Sequence, residues 1–128
     1  MQFKRFFPCT YGKIFCTVGK NNTPGRIDYQ AGYSVVRSTS PLDNRAIWLE
    51  IFAGGIHKGN SCQTLLKKLN INCKEVAGLG NDYNDIDFLD ICAEAYLVAN
   101  APVNLQRHYK LVKSDKEEGF TEFISKVL

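Results

Sequence analysis

Four side chains able to offer oxygen crowd one short stretch of this chain: Asn81, Asp82, Asn84 and Asp85. They follow the apolar run Val76-Ala77-Gly78-Leu79-Gly80, which reads as a buried strand ending in glycines. In open parallel α/β sheets, ligands bind just beyond the carboxyl ends of the strands. Oxygen donors gathered at such an end suit a hard cation such as Mg²⁺. Asn and Asp after a strand also form turns and cap helices. A cap uses one or two of them, and this loop has more. A rival reading is the dinucleotide fingerprint Gly-x-Gly-x-x-Gly, which Gly78-Leu79-Gly80 begins. Tyr83 stands where the third glycine must let helix and strand pack closely. Asp82 and Asp85 would also repel a pyrophosphate, so the fingerprint is set aside.

To position such a loop, the flanking chain must alternate strand and helix. Residues 58–69 place Cys62, Leu65, Leu66 and Leu69 on one apolar helical stripe. A strand is predicted at 74–79, a helix at 84–93, a strand at 95–99, a helical turn at 103–107 and a strand at 109–113. The last helix, 116–128, carries Phe120, Phe123, Ile124 and Val127 on one face, with Asp115 and Glu118 spaced as an N-capping pair. Before Gly54-Gly55 the composition shifts to β-formers and turn residues. Strands are predicted at 13–18, 33–38 and 45–52, and a turn at 21–25. In the third strand Ile47, Leu49 and Ile51 alternate with Trp48, Glu50 and Phe52. The pattern predicts an α/β fold: a small Rossmann-like parallel sheet flanked by helices, preceded by a β-rich segment.

The whole chain, 128 residues with 45% apolar and 12% aromatic content, is ordinary for one globular domain. Its formal charge of +3 is scattered, and the densest basic pair, Lys67-Lys68, fits a solvated helix face. Nothing marks a nucleic-acid partner. No run approaches the roughly 18 apolar residues of a membrane span, and Met1-Gln2-Phe3-Lys4-Arg5-Phe6-Phe7-Pro8 lacks a signal peptide's apolar centre. The five cysteines are odd in number and include no Cys-x-x-Cys. That argues against zinc and against a disulfide framework. Cys62 and Cys92 fall on apolar helix positions, where cysteine is usually a small core residue. A reducing, cytoplasmic setting is expected.

Gly80-Asn81-Asp82-Tyr83-Asn84-Asp85 resembles the Gly-Asp-x-x-Asn-Asp loop of Cof-type phosphatases in the haloacid dehalogenase superfamily. Three further passages match in order and spacing. Trp48-Leu49-Glu50-Ile51, followed by Gly55-Ile56-His57-Lys58-Gly59, is similar to the family's Leu-Glu-Ile and Gly-Val-Ser-Lys-Gly. Val98-Ala99-Asn100-Ala101 is similar to its Val-x-Asn-Ala strand end, and Glu117-Glu118-Gly119-Phe120 to its Glu-Asp-Gly-Val helix entry. The likeness runs from about Arg45 onward. It implies that 1–55 is the distal part of a cap domain and 56–128 the C-terminal part of the core.

Carried over by position, the resemblance implies a catalytic Lys58 that neutralises the transferring phosphoryl group, the fixed positive charge such chemistry relies on. A lysine at a helix start opposes the helix dipole, which favours a functional reading over an ordinary surface one. Asn81 stands where the family has a Mg²⁺-binding Asp, so the metal set would be Asn81, Asp82 and Asp85, with Asp85 also orienting Lys58. Asn84 would orient the phosphate or a metal-bound water, and Asn100 would close the rim. The implied substrate is a small phosphorylated metabolite.

Such enzymes attack phosphate with the first Asp of an Asp-x-Asp-x-Thr segment, and a second Asp carries the proton. The sole Asp-x-Asp here, Asp85-Ile86-Asp87, lies inside the polar loop and helix. The expectation is therefore a chain resembling the C-terminal half of a phosphohydrolase, inactive alone. It would self-associate or be complemented by an N-terminal half at the edge of the 74–79 strand. The alternatives are a non-catalytic metal- or phosphate-binding or assembly module, or a truncated gene product.

Overall fold

The computed structural model describes residues 14–18, 33–39 and 47–128. The chain divides into two compact units, Met1–His57 and Lys58–Leu128. The turn expected at 21–25 lies outside the described residues.

The first unit holds an antiparallel sheet of β1 (Ile14–Val18), β2 (Tyr33–Thr39) and β3 (Ile47–Ala53) in the order β1-β3-β2. Central β3 sets Leu49 opposite Cys16 on one side and Arg37 on the other. Leu49 is buried, while Trp48, Glu50, Ile51 and Phe52 are all half-buried. The alternation thus marks the strand correctly, but it does not divide β3 into one buried and one exposed face. After Ala53 the chain turns: Ile56 N–H returns to the Ala53 carbonyl at 3.0 Å, and Gly55 takes φ 78°, a conformation that favours glycine.

In the second unit, α1 (Lys58–Leu69) precedes a parallel sheet of β4 (Ala77–Gly80), β5 (Glu94–Val98) and β6 (Lys110–Val112), ordered β4-β5-β6. The helices α2 (Ile86–Leu89), α3 (Val103–Gln106) and α4 (Gly119–Val127) complete it. Ideal Cβ atoms on Gly78 and Gly80 would strike Cys92, Phe88, Leu89 and Asp85, so that face of β4 lies hard against α2. On the opposite face the Tyr96 ring meets Phe123 of α4 edge-on, with centroids 5.4 Å apart. Helices therefore cover both faces. Between them lie Leu89, Tyr96, Leu97, Val98, Ala101, Leu105, Val112 and Phe123, the buried core. Each large apolar side chain so buried contributes about 1.5–3 kcal/mol.

Local chemistry sets the boundaries where they differ from the expected ones. Helix α1 matches its predicted span and ends because Asn70 adopts φ 55° while Ile71 N–H bonds Leu66 O at 2.9 Å. The strand expected at 74–79 is shorter. Asn72 and Glu75 form a capping box that winds Cys73–Glu75 into a 3₁₀ turn, and pairing begins at Ala77. The helix expected at 84–93 is a 3₁₀ turn, Tyr83–Asp85, and the short α2. Ala93 N–H is drawn to Val76 O at 2.9 Å, returning the chain to the sheet.

At the C-terminus the expected pairing of Asp115 with Glu118 does not cap the last helix. The Asp115 carboxylate accepts from Asn100, Glu118 sits at φ 66°, and α4 starts at Gly119. Gly119 is required there, because a Cβ would lie 2.1 Å from Lys113 O.

Two expected apolar faces are only half covered. Phe120 is 65% exposed, and in the α1 stripe Leu65 and Leu69 are 54% and 56% exposed, whereas Cys62 and Leu66 are half-buried. Among the described residues, β4 is hydrogen-bonded on one side only, to β5.

Candidate active site

The polar loop lies immediately beyond the carboxyl end of β4, where a parallel sheet presents ligand-binding residues. Its organiser is Asp85, which is 5% exposed. One carboxylate oxygen, Oδ2, accepts the Asn81 N–H at 2.8 Å and the Asp82 N–H at 3.2 Å. The other, Oδ1, forms an ion pair with Lys58 Nζ. Glycine at 80 is what admits this carboxylate, since a Cβ there would sit 2.8 Å from Asp85 Cβ.

Lys58 is the first residue of α1, a helix with no acidic residue in its first turn. Its charge opposes the helix dipole, and Asp85 supplies the compensating charge from the facing loop. Gly59 brings the two together: a Cβ at 59 would lie 2.5 Å from the Asp87 carbonyl oxygen. Any other residue would push α1 away from α2.

Asp82 is buried, and its Oδ1 accepts Tyr83 N–H at 2.7 Å, capping the 3₁₀ turn. Asn81 is exposed beside it. Asn84 belongs to the same turn, and its Oδ1 is buried with no hydrogen-bond partner. A buried amide oxygen without a donor carries a desolvation cost that a cation or a water would relieve. Lys58, Asn81, Asp82 and Asp85 are thus joined in one hydrogen-bonded cluster, and Asn84 shares their turn. Asn100 has a separate connection. Past the end of β5, its Nδ2 donates to Asp115 Oδ1 at 2.8 Å and its Oδ1 accepts Asp115 N–H at 3.3 Å.

Two contacts escaped sequence reasoning. Tyr83 Oη donates to Asn104 Oδ1 at 2.7 Å, and Gln106 Nε2 donates to the carbonyls of Ala99 and Ala101 at 2.9 and 2.8 Å. The first joins two separate connections and the second braces the β5–β6 connection from within, so no local pattern announces them.

Among the described residues no group of three His, Cys, Asp or Glu side chains forms a metal cluster. Of the expected set, Asp85 has both oxygens engaged, one by Lys58 and one by two loop amides. Asp82 offers a carboxylate and Asn81 an amide oxygen, hard donors of the kind that suits Mg²⁺, and the orphaned Asn84 oxygen marks a polar group beside them in need of a partner. That ion is commonly held by one or two protein carboxylates together with water and substrate phosphate.

A Rossmann-like parallel sheet with helices on both faces and a lysine-linked polar loop beyond its first strand defines the class of fold as α/β. Residues 20–124 match the haloacid dehalogenase-like hydrolase family, and the chain belongs to that family. A Streptococcus pyogenes protein named "Putative phosphatase" is 27% identical over 95 residues, which cover 73% of this chain and 33% of that protein. The solved structure of SMU.1108c from Streptococcus mutans superposes with a TM-score of 0.60 at 29% identity, covering 72% of this chain and 34% of that one. The fold is also that of BT4131, a HAD subclass IIB sugar phosphatase, at TM-score 0.64 and 17% identity, covering 74% and 35% of the two chains. The chain spans about a third of the length of the relatives it matches.

Proposed function

We propose that this chain supplies the cationic and metal-holding half of a Mg²⁺-dependent phosphohydrolase centre acting on small phosphorylated metabolites. The observation that carries the reading is the Lys58–Asp85 ion pair, locked to the loop amides of Asn81 and Asp82. It fixes a positive charge at the carboxyl end of a parallel sheet before any anion arrives. Preorganised charge of this kind is the main protein contribution to phosphoryl transfer. Asn81 and Asp82 would hold Mg²⁺, which neutralises phosphate charge when bound. Asp85 would orient Lys58 and the loop from behind. Asn84 would orient the phosphate, and Asn100 would brace the rim. The sugar phosphatase among the structural neighbours supports the substrate class.

The nucleophile and proton carrier would come from an Asp-x-Asp-x-Thr segment outside these 128 residues, docking as a strand along the open edge of β4. Residues 1–55 would then be the distal part of the cap, and 56–128 the C-terminal part of the core. Among the described residues no helix is long and apolar enough to cross a membrane. The free thiols of Cys62, Cys73 and Cys92 support a reducing, cytoplasmic setting.

Hydrolysis of p-nitrophenyl phosphate with Mg²⁺ is the test. The chain alone should show none above background, and a longer polypeptide carrying the nucleophile segment should show turnover that Lys58→Ala abolishes. Metal-activated hydrolysis by the isolated chain would overturn the division of roles. A second reading, an assembly module with no catalytic role, is favoured by the β4 edge, unpaired among the described residues, and by the exposed Leu65 and Leu69. It predicts no turnover in either context.

A further inference from the structure

We propose that Tyr83 is a positioning residue. Its hydroxyl moors the polar loop to Asn104 of α3 and so fixes where Asn81 and Asp82 present their oxygens. The loop is pinned from within by Asp85, which gathers the Asn81 and Asp82 amides, and by the cap of Asp82 on Tyr83 N–H. Those bonds tie the loop to itself and, through Lys58, to α1. The 2.7 Å bond from Tyr83 Oη to Asn104 Oδ1 reaches the other way, across 21 residues, to the connection beyond β5.

That connection is itself braced. Gln106 binds the Ala99 and Ala101 carbonyls, and Ala101 and Leu105 are buried on either side of Asn104. The Tyr83 ring packs against the buried core, so its pivot is fixed, and its hydroxyl is bound to Asn104. A stiff aromatic with few rotors, anchored at both ends, limits how far the backbone between Gly80 and Asn84 can move. The residue that excludes a dinucleotide fingerprint at the sequence level is thus the one that spans the two loops.

The functional importance of this mooring rests on reading the loop as the Mg²⁺ site, so the deciding measurement is made without metal. Amide hydrogen exchange on the full chain should show Tyr83→Phe raising exchange at Asn81 and Asp82 by roughly two- to tenfold, the worth of one net hydrogen bond. Amides of α4 and of the β5–β6 pairing should stay at wild-type rates. Asn104→Leu, which leaves the Tyr83 ring in place, should reproduce the effect, and Asn104→Asp, which keeps an acceptor, should restore wild-type exchange. The double variant Tyr83→Phe/Asn104→Leu should be no worse than either single one. Titration with MgCl₂ should then show affinity weakened by a similar factor.

Wild-type exchange at Asn81 and Asp82 in Tyr83→Phe overturns the proposal, as does acceleration spread evenly over the unit. If exchange changes as expected while the wild type ignores Mg²⁺, the mooring stands and the metal reading fails.

Discussion

The ammonium of Lys58 rests on Asp85 Oδ1 while the opposite oxygen of that carboxylate takes the backbone N–H groups of Asn81 and Asp82. One buried carboxylate therefore sets both the direction of a lysine and the shape of a loop. The two partners contribute unequally to stability, because the Lys58 side chain is 52% exposed and that of Asp85 is 8% exposed.

Lys58→Ala should lower stability by about 1 kcal/mol or less, as expected of a half-solvated ion pair. Asp85→Ala strips two backbone donors and a cation of their acceptor at once, and should cost about 2–3 kcal/mol. Urea denaturation of the two variants reads the difference. Equal losses would mean that the loop amides find other acceptors.

Asn81 decides the charge of the proposed metal site. Asn81→Asp adds a carboxylate at an exposed position next to buried Asp82 and should strengthen Mg²⁺ binding, measured calorimetrically. Unchanged affinity would show that residue 81 is not a ligand.

Cys92 should resist alkylation near neutral pH, while Cys73, exposed, reacts first. Burial, with smaller contributions from the nearby Cys62 and Cys73, pushes the Cys92 thiol up to about 11 from its ordinary 9.0. The fold favours the neutral thiol, so its contribution to stability is whole below pH 9.0 and is lost as the pH climbs to about 11. Mass-resolved iodoacetamide labelling at pH 8 checks the order of reaction. Cys92 labelled as fast as Cys73 would contradict it.

The chain should self-associate or accept a complementing strand. Leu65 and Leu69 are more than half exposed, and β4 has an unpaired edge among the described residues. Covering one such leucine is worth about 2 kcal/mol, a sizeable share of the roughly 5–15 kcal/mol that holds a domain together. Light scattering with melts at several concentrations tests this. A monodisperse monomer whose transition ignores concentration would mean that the exposed stripe and edge are tolerated as they stand.

Much of the architecture was legible because it is written in local periodicity. The apolar spacing of α1 gave its span, and short apolar runs bounded by turn residues gave each strand to within a few residues. What stayed hidden depends on partners distant in sequence. Phe120 shares a helical face with Phe123, yet only Phe123 meets Tyr96 of the sheet. Asp115 looks like a helix cap, yet Asn100, 15 residues away, takes its carboxylate. In the site, the density of Asn and Asp marked the loop, but its turn at Tyr83–Asp85 falls partly where a helix over 84–93 was expected. The closeness of Gly59 to Asp87 is a packing fact that no single-chain pattern encodes.

The parallel sheet pairs β4 with β5 and β5 with β6, each strand with its neighbour in the chain. Each pairing closes a single crossover, the least separation that a parallel pair allows, although parallel sheets form more slowly than helices or hairpins. The second unit can therefore assemble its sheet in the order of synthesis, and stopped-flow refolding should find it forming in one phase. A strand laid along the outer edge of β4 would be the single long-range step, arriving on a surface already built. Assembly of the complete centre would then be timed by that encounter, with folding of the second unit already finished.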